Sequence, residues 1–237
     1  MPCHPGSIHN FLVSVDGRWC LAIPAAGARP FVFKLGRTNS IVKLDSGSIG
    51  IHFHGLNHDG SLAIARDDRH PTQVQLWDLR AGRPTSILDV GVTVRHTALS
   101  PDDRRIAVSG IGSTTIWSRD TFKLRHRILH PDTEENHHPL AFSPDGRTLA
   151  VAASDREIWL ADVETGAILA SLPVDRMVVA VGFSASGNQL VVTGESGWFD
   201  LWNLHLLRAN LAALNLDWPG APMSEVPEPP TTFPIKR

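Results

Sequence analysis

The sequence has only two cysteines among its 237 residues, Cys3 and Cys20, and neither belongs to a CxxC pair. So few thiols exclude a disulfide framework and suit a reducing compartment. A chain of this length buries roughly 70–75% of the surface that its unfolded form exposes, so it needs neither a disulfide nor a structural metal for stability. We therefore expect an ordinary globular core.

Charge of one sign and long apolar runs are also lacking. The chain carries 22 basic and 24 acidic residues, with a formal net charge of −2 and an isoelectric point near 6.6. This balance predicts neither a nucleic-acid partner nor an acidic membrane surface. The N-terminal residues MPCHPGSIHN do not resemble a secretory signal, and no apolar stretch approaches the roughly 20 residues of a membrane helix. We expect a soluble, cytoplasmic protein.

Motifs for catalysis are missing as well. GESGW resembles a nucleophile elbow only loosely, because Gly194, Ser196 and Gly197 have the wrong spacing. There is no glycine-rich phosphate loop followed by Lys-Ser/Thr, and no HRD-type kinase segment. The sequence therefore predicts a chain that is not an enzyme and has no cofactor.

What is present is a repeated turn. The stretches VSVDGRWCLAI, LNHDGSLAIA, LSPDDRRIAVS, FSPDGRTLAVA and FSASGNQLVVT place equivalent turn residues at 16, 59, 102, 145 and 186, which are 43, 43, 43 and 41 residues apart. In this turn an Asp side chain can accept a hydrogen bond from the backbone N–H two residues on, and Gly tolerates positive φ. We interpret the turn as a structural hairpin device that carries no chemistry of its own.

A second marker follows the same period. Each turn precedes an apolar strand that ends near an aromatic register position, at 33, 77, 117, 161 and 202, with spacings of 44, 40, 44 and 41. In the fourth unit the short runs PLAFS, RTLAVAAS, EIWLADV and AILASL are separated by SPDG, SD and ETG, which are typical turn residues. The pattern predicts four short strands per unit.

Units of 40 to 45 residues with four strands and a Trp77-Asp78 dipeptide resemble WD40 repeats over residues 9 to 205. The resemblance implies an all-β, WD40-type β-propeller of about five four-stranded blades. The sequence departs from the family in lacking its Gly-His pairs, and only one unit keeps the full Trp-Asp dipeptide. The family's hydrogen-bonded tetrad of His, turn Asp and Trp therefore cannot be carried over, even where Asp155 occupies the place of the turn Asp.

The predicted organisation follows from these markers. Residues 1–8 form an N-terminal extension, the repeats occupy 9–204, a C-terminal helix covers 205–218, and a flexible Pro-rich tail covers 219–237. The helix is predicted because Leu204, Leu207, Leu211 and Leu214 share one helical face. The five blades are expected at about 9–48, 49–92, 93–135, 136–176 and 177–204.

The end of the repeats carries a narrower resemblance. The residues of LRANLAALNLDW are similar to the closing segment of large bacterial WD40 proteins, some fused to serine/threonine kinases; the matching positions are Arg208, Leu211, Ala212, Leu214, Leu216, Asp217 and Trp218. The fifth unit supplies three strands before this segment. We therefore expect an incomplete or open array, completed by another chain or by a missing domain, with a complete five-bladed ring as the alternative.

Twelve histidines raise the question of a metal site. His52, His54 and His58 have a spacing that could hold a first-row metal, but no cysteine is near and Asp59 and Asp67 are turn residues of the repeat. We favour a structural or solvent-facing role for these histidines and predict no metal site. His137 and His138, in an inter-blade loop, receive the same interpretation.

The remaining candidates are surface loops. The turns between the second and third strands are Asp67-Asp68-Arg69-His70, Ile111-Gly112-Ser113, Asp155-Arg156 and Glu195-Ser196-Gly197-Trp198. Arg and Trp are enriched at binding hot spots, so Arg69, His70, Arg156 and Trp198 are the candidate partner-binding residues. The sequence favours a non-catalytic protein–protein interaction scaffold. The alternatives are a propeller hydrolase or lyase with its site at the central channel, and a fragment of a larger WD40 protein without independent function.

Overall fold

A computed structural model describes residues 8–14, 16–24, 29–36, 41–45, 50–131, 138–194 and 197–218. Within these residues the chain forms antiparallel sheets and one helix. The predicted Pro-rich tail, 219–237, and all but the last residue of the predicted N-terminal extension lie outside the described residues. So do Glu195, Ser196 and His137.

The strands follow one another along the chain in five sheets, which we number as blades 1 to 5. Blade 1 contains β1 (Ile8–Val13), β2 (Trp19–Pro24), β3 (Phe31–Lys34) and β4 (Ile41–Lys43). Blade 2 contains β5 (Ile51–Leu56), β6 (Leu62–Asp67), β7 (His70–Asp78) and β8 (Arg83–Asp89). Blade 3 contains β9 (Val94–Leu99), β10 (Arg105–Gly110), β11 (Ser113–Ser118) and β12 (Leu124–Leu129). Blade 4 contains β13 (Leu140–Phe142), β14 (Thr148–Ser154), β15 (Glu157–Asp162) and β16 (Ile168–Pro173), and blade 5 contains β17 (Val178–Phe183), β18 (Gln189–Gly194) and β19 (Phe199–Asn203).

This architecture is a five-bladed β-propeller, which confirms the predicted fold class. Every sheet is ordered as its strands occur in the sequence, so each blade is a meander of hairpins. In blade 5 the helix α1 (Leu204–Ala213) begins directly after the third strand, where the other blades continue into a fourth. The first strands contact one another in the order β1, β5, β9, β13 and β17, and no comparable contact between β17 and β1 occurs in the described part of the chain.

The repeated turn joins the first and second strands of every blade. In blade 4 the Asp145 carboxylate accepts hydrogen bonds from the backbone N–H of Arg147 at 3.0 Å and from the hydroxyl of Ser143 at 2.6 Å. Gly146 follows with φ +70°, in the left-handed region that glycine adopts without strain. In blade 3 the equivalent residue is Asp103, with φ +60°. The turn is therefore structural, as the sequence predicts.

The core is divided among the junctions between blades, because strand side chains alternate between two faces. In β6, Ala63 and Ala65 face blade 1 and pack in one cluster with Leu21. Between them, Ile64 faces blade 3 and packs with Ile106. Two further clusters of the same kind lie at the junctions of blade 3 with blade 4 and of blade 4 with blade 5. Each described cluster joins two consecutive blades.

Helix α1 closes the outer side of the last junction. Its N-cap is Asn203, whose side chain accepts a hydrogen bond from the backbone N–H of Leu206. Leu204 is buried with the core of blades 4 and 5, and Leu207 and Leu211 pack against that core. Leu214, predicted on the same helical face, follows the last helical residue and is exposed, because the chain turns there.

The residues after the helix return to it. Arg208 forms a fork with Asp217, with Nε–Oδ1 and Nη2–Oδ2 distances of 3.0 Å each. The same guanidinium lies 5.1 Å from the ring centroid of Trp218, which is buried in the core of blades 4 and 5. The hydrogen bonds from Arg208 keep the pKa of Asp217 below its ordinary value. The pair therefore holds the chain after the helix against the last blade.

None of the described helical segments has the length and apolar character that a membrane span requires.

Candidate interaction face

In blades 2 to 5 the turns between the second and third strands lie at one edge of each sheet. Antiparallel strands reverse direction at each turn, so these turns project from the side opposite the repeated Asp-Gly turns. Because consecutive blades pack in the same orientation, the turns of blades 2 to 5 lie on the same side of the array. We call this side the second-turn face, and the side with the Asp-Gly turns the first-turn face. Loops held on a rigid scaffold commonly carry binding residues.

Arg69, the candidate of blade 2, is fixed by a carboxylate beneath it. Its Nε and Nη2 donate to Asp67 Oδ1 and Oδ2 at 2.9 and 2.7 Å, and its backbone N–H donates to Oδ1 at 3.0 Å. The Asp67 side chain is 1% exposed, whereas that of Arg69 is 55% exposed. The arginine is therefore held in one orientation at the surface, with little further conformational entropy to lose on binding.

The hydrogen bonds from Arg69 lower the pKa of Asp67 from 3.8 to about 2, against the opposing effect of burial. His70, the neighbouring candidate, has its Nδ1 3.4 Å from Asp67 Oδ2 and is half-exposed. Arg69 and His70 therefore share the same buried carboxylate. This arrangement brings together two of the four residues that the sequence singled out.

The same carboxylate is linked to the core. Gln75 Nε2 donates to Asp67 Oδ2 at 3.3 Å, and the indole Nε1 of Trp77 donates to Gln75 Oε1 at 3.0 Å. Trp77 is 2% exposed and packs edge-on against Phe53. In blade 2 a glutamine thus connects the turn Asp to the tryptophan, in a sequence without the family's Gly-His pair.

The link between the indole and a polar side chain recurs in other blades. The Trp117 indole donates to Thr115 Oγ1 at 2.9 Å, and the Trp159 indole donates to Glu157 Oε2 at 3.0 Å. In each case the acceptor lies two residues earlier on the third strand, so both side chains share one face of the sheet. In blade 5 the Nε1 of Trp202 is buried without a hydrogen-bond partner among the described residues. This pairing was not predicted from the sequence, although a polar residue two positions before each of these tryptophans is visible there.

Arg156, the candidate of blade 4, has no comparable anchor. Its side chain is exposed, and no ion pair involving it occurs among the described residues. Its backbone N–H donates to the Ser154 hydroxyl at 3.2 Å, which shapes the turn. The neighbouring Asp155 buries one carboxylate oxygen that has no hydrogen-bond partner in the described part of the structure. Arg156 therefore presents a solvated guanidinium on the second-turn face.

Trp198, the candidate of blade 5, is half-buried. Its ring packs against the core of blades 4 and 5 and covers Gly194, where any Cβ would overlap the indole. Part of its surface is thus used within the fold, and the rest is available at the second-turn face. Blade 3 contributes only Ile111 and Gly112 at the equivalent turn, with Gly112 at φ +72°.

The histidines of the metal hypothesis have other contacts. His52 Nε2 lies 2.8 Å from Asp68 Oδ2, and the ring of His54 stacks on that of His96 with centroids 4.7 Å apart. The backbone N–H of Thr97 donates to His54 Nδ1 at 3.0 Å, so this ring accepts at Nδ1. No group of three or more potential ligands that could hold a metal ion occurs among the residues that the structure describes.

A cavity of about 280 Å³ lies beside this histidine pair. It lies among β1, β2, β5 and β9 and is lined by Asn10, Leu12, Ile23, Ile51, His52, Phe53, His54 and His96. Burial, followed by the proximity of His96, holds the pKa of His54 well below its ordinary value of 6.5. The cavity therefore has a neutral imidazole in its wall. Among the described residues that line it, none has an acidic side chain.

Comparisons with known proteins agree with the fold. The family model for the WD40 domain of anaphase-promoting complex subunit 4 matches residues 97–186. The Protein LST8 homolog of Drosophila melanogaster is 25% identical over 177 residues, covering 70% of this chain and 55% of that protein. Kuenenia stuttgartiensis hydrazine synthase superposes with a TM-score of 0.63 at 17% identity, covering 80% of this chain and 55% of that one. This structural likeness shows the fold alone.

The chain thus spans about half the length of these relatives. The match to the WD40 family model lies across blades 3 and 4 and the start of blade 5, where the repeated turn and the paired indoles are both present. With the meander order of all five sheets, these findings show a five-bladed β-propeller whose sequence is similar to that of WD40-repeat proteins.

Proposed function

We propose that this chain is a non-catalytic scaffold that binds a protein partner through its second-turn face. The observation that carries the proposal is the fixed guanidinium of Arg69, held at the surface by the buried carboxylate of Asp67. Preorganised arginines bind with a smaller entropic cost than free ones, and arginine is enriched at binding hot spots. The proposed compartment is the cytoplasm, and no nucleic acid or membrane is proposed as a partner.

The chemistry of this face favours a partner that offers carboxylates. Arg69 uses Nε and Nη2 within the fold, so its Nη1 is directed to an external acceptor in this proposal. Arg156 adds a second, solvated guanidinium, and the exposed part of Trp198 adds an apolar contact. Guanidinium groups form forked, charge-assisted hydrogen bonds with carboxylates, which gives both orientation and affinity.

The enzyme alternative has less support. A propeller enzyme places convergent carboxylates, histidines or metal ligands near its channel. The described lining of the cavity at blades 1 to 3 contains histidines, apolar side chains and one amide, but no carboxylate. Hydrazine synthase is an enzyme by its name, but its likeness at 17% identity concerns the fold. The third possibility is a fragment of a larger WD40 protein. It is compatible with the scaffold role, because further blades of that protein would pack against the ends of this array.

The test is capture of partners by the purified, tagged chain, followed by measurement of the affinity of each recovered partner. The double variant Arg69→Ala/Arg156→Ala should weaken that affinity by about tenfold or more. Its matched control is Arg104→Ala/Arg147→Ala, two exposed arginines beside the repeated first turns of blades 3 and 4. The control leaves the second-turn face intact and should retain full affinity.

Thermal melting of both double variants separates lost binding from lost folding. Arg156→Ala should not change stability, whereas Arg69→Ala removes donors from a buried carboxylate and should lower it. Equal affinity of the two double variants, with both folded, would reject the second-turn face as the binding surface. Turnover of a captured small molecule with no bound protein would reject the scaffold proposal itself.

A further inference from the structure

The two ends of the blade array expose apolar sheet faces. The blade-5 end face consists of Val191, Phe199 and Leu201, which share one side of the sheet because Val191 pairs with Leu201 and Phe199 lies two residues before Leu201. Val191 is 37% exposed, Phe199 69% and Leu201 54%. The opposite side of the same strands is buried against blade 4, so this side alone is uncovered.

The same register positions are buried inside the array. In blade 4 the positions that correspond to Val191, Phe199 and Leu201 in the 41-residue step are Ala150, Ile158 and Leu160, and all three are 0% exposed. They pack in the core between blades 4 and 5. The blade-5 end face is therefore the kind of surface that each preceding blade buries against the blade after it.

The blade-1 end face is the side of blade 1 that faces away from blade 2. Its larger apolar side chains are Phe11, Val13, Phe31, Phe33 and Ile41, which the strand registers place on one side of the sheet together with Lys43 and the buried Cys20 and Ala22. Phe31 and Phe33 are half-buried. Phe11 is 63% exposed, Val13 45% and Ile41 45%. The other side of blade 1 is buried against blade 2.

The position of Phe33 in the repeat shows that the blade-1 end face is the side of a blade that packs against a preceding blade. In blade 2 that position is occupied by Trp77, which is 2% exposed and faces the preceding blade. At every described junction, the side of a blade that carries the Leu160 position packs against the side of the following blade that carries the Trp77 position. The blade-5 end face carries the Leu160 position, as Leu201, and the blade-1 end face carries the Trp77 position, as Phe33. The two end faces are therefore complementary halves of one blade–blade junction.

We infer that a second copy of this chain covers these faces, with the blade-5 end face of one copy packed against the blade-1 end face of the next. Contiguous exposed apolar faces on a soluble protein mark interaction sites. The association repeats, between molecules, the blade–blade junction already formed four times within the chain. It is heterologous, because two different surfaces meet, and can therefore continue to further copies or close into a ring.

This inference rests on the lack of a contact between β17 and β1 in the described residues, and its own contacts lie away from the second-turn face. Loss of partner binding in the Arg69→Ala/Arg156→Ala double variant would leave self-association unchanged. Conversely, a variant in an end face would leave the second-turn face intact. The two proposals therefore fail separately.

The first experiment measures the mass of the full chain by sedimentation and light scattering from low to high micromolar concentration. The wild type should show concentration-dependent assembly. Leu201→Lys or Phe11→Lys should each weaken assembly by about 100-fold or more, because each would bury a lysine in an apolar junction. Leu129→Lys is the matched control, since Leu129 is 71% exposed at the end of β12 and belongs to neither end face.

The second experiment distinguishes a head-to-tail junction from a contact between two identical faces. Leu201→Lys retains an intact blade-1 end face, and Phe11→Lys retains an intact blade-5 end face. Each variant alone should be monomeric, and an equimolar mixture should form a 1:1 dimer. Because all substituted residues are exposed, circular dichroism should show native folding for each variant.

Four outcomes would overturn the inference. A wild type that stays monomeric at all concentrations would show that a second copy does not cover these faces. Assembly of Phe11→Lys alone would indicate that blade-5 end faces pair with each other, and assembly of Leu201→Lys alone would indicate the same for blade 1. Failure of the mixture to dimerise, with both variants folded, would contradict the head-to-tail junction directly.

Discussion

Replacement of Asp67 by Asn tests whether the buried carboxylate beneath Arg69 stabilises the protein. The substitution keeps the size of the side chain but removes the charge that accepts three hydrogen bonds from Arg69, at distances of 2.7 to 3.0 Å. The lowering of the Asp67 pKa from 3.8 to about 2 corresponds to roughly 2.4 kcal/mol at 1.36 kcal/mol per pKa unit. Since Arg69 is half-exposed and screened by solvent, we expect a smaller loss of about 1–2 kcal/mol at neutral pH.

The pH dependence gives this prediction a second, independent readout. The pKa of Asp67 is lower in the folded protein than in the unfolded chain, so its stabilising effect is complete above about pH 4 and is lost as the pH falls towards 2. The difference in unfolding free energy between wild type and Asp67→Asn should therefore shrink over this interval. At neutral pH the variant's melting temperature should be roughly 2–8 °C lower.

The control for Asp67→Asn is Asp68→Asn. Asp68 lies next in the chain, is half-exposed, and forms a surface ion pair with Arg66 and a hydrogen bond with the His52 ring. Exposed pairs contribute little, so this variant should change stability by less than about 1 kcal/mol. Calorimetry or urea unfolding of the three proteins measures the effect. Equal loss in both variants, or a wild-type advantage over Asp67→Asn that stays constant down to pH 2, would refute the reasoning.

Three further predictions concern other parts of the chain. Trp77→Phe should destabilise by about 1–2 kcal/mol more than Trp202→Phe in urea unfolding, because only the first removes an indole hydrogen bond and the second removes a buried, unbonded N–H; an equal cost would count against this. Arg208→Ala should cost about 2–3 kcal/mol, since it separates the forked pair with Asp217. Arg208→Lys should lose less, and identical losses would argue against the fork. The pKa of His54 is lower in the folded protein than in the unfolded chain, so the unfolded chain binds the proton first and stability falls as the pH decreases through 6.5. His54→Gln should reduce the fall in melting temperature over this pH range. An unchanged dependence of melting temperature on pH would contradict the prediction.

The blade pattern could be predicted because the repeated turn accepts few residue types. A tight reversal after each first strand needs an acceptor for the backbone N–H groups and a residue that tolerates positive φ, and only a few residue types meet both needs. Asp145 and Gly146 meet them in blade 4, with Gly146 at φ +70°. Asp103 adopts φ +60° where a glycine stands in other blades, so the repeat is visible even there. The local chemistry of one turn therefore revealed the whole architecture.

The candidate site was less accessible to sequence reasoning. The acceptors of the indole N–H groups are Gln75, Thr115 and Glu157, three different residue types that share only their place two residues before a tryptophan. Trp159 itself lies two residues before the aromatic register position of its blade, so the pairing does not follow the repeat strictly. The direction of a side chain in a short turn also does not follow from periodicity. Trp198 illustrates this, because the absence of a side chain at Gly194 allows its ring to fold back onto the core.

The division of the core into junction clusters has a consequence for how the molecule unfolds. Each described cluster couples only neighbouring blades, so the array behaves as a one-dimensional chain of cooperative units. Blades 2, 3 and 4 are held from both sides, whereas blades 1 and 5 are held from one. Amide hydrogens of β10 and β14 should therefore exchange more slowly than those of β2 and β18, with opening that begins at the ends and moves inward.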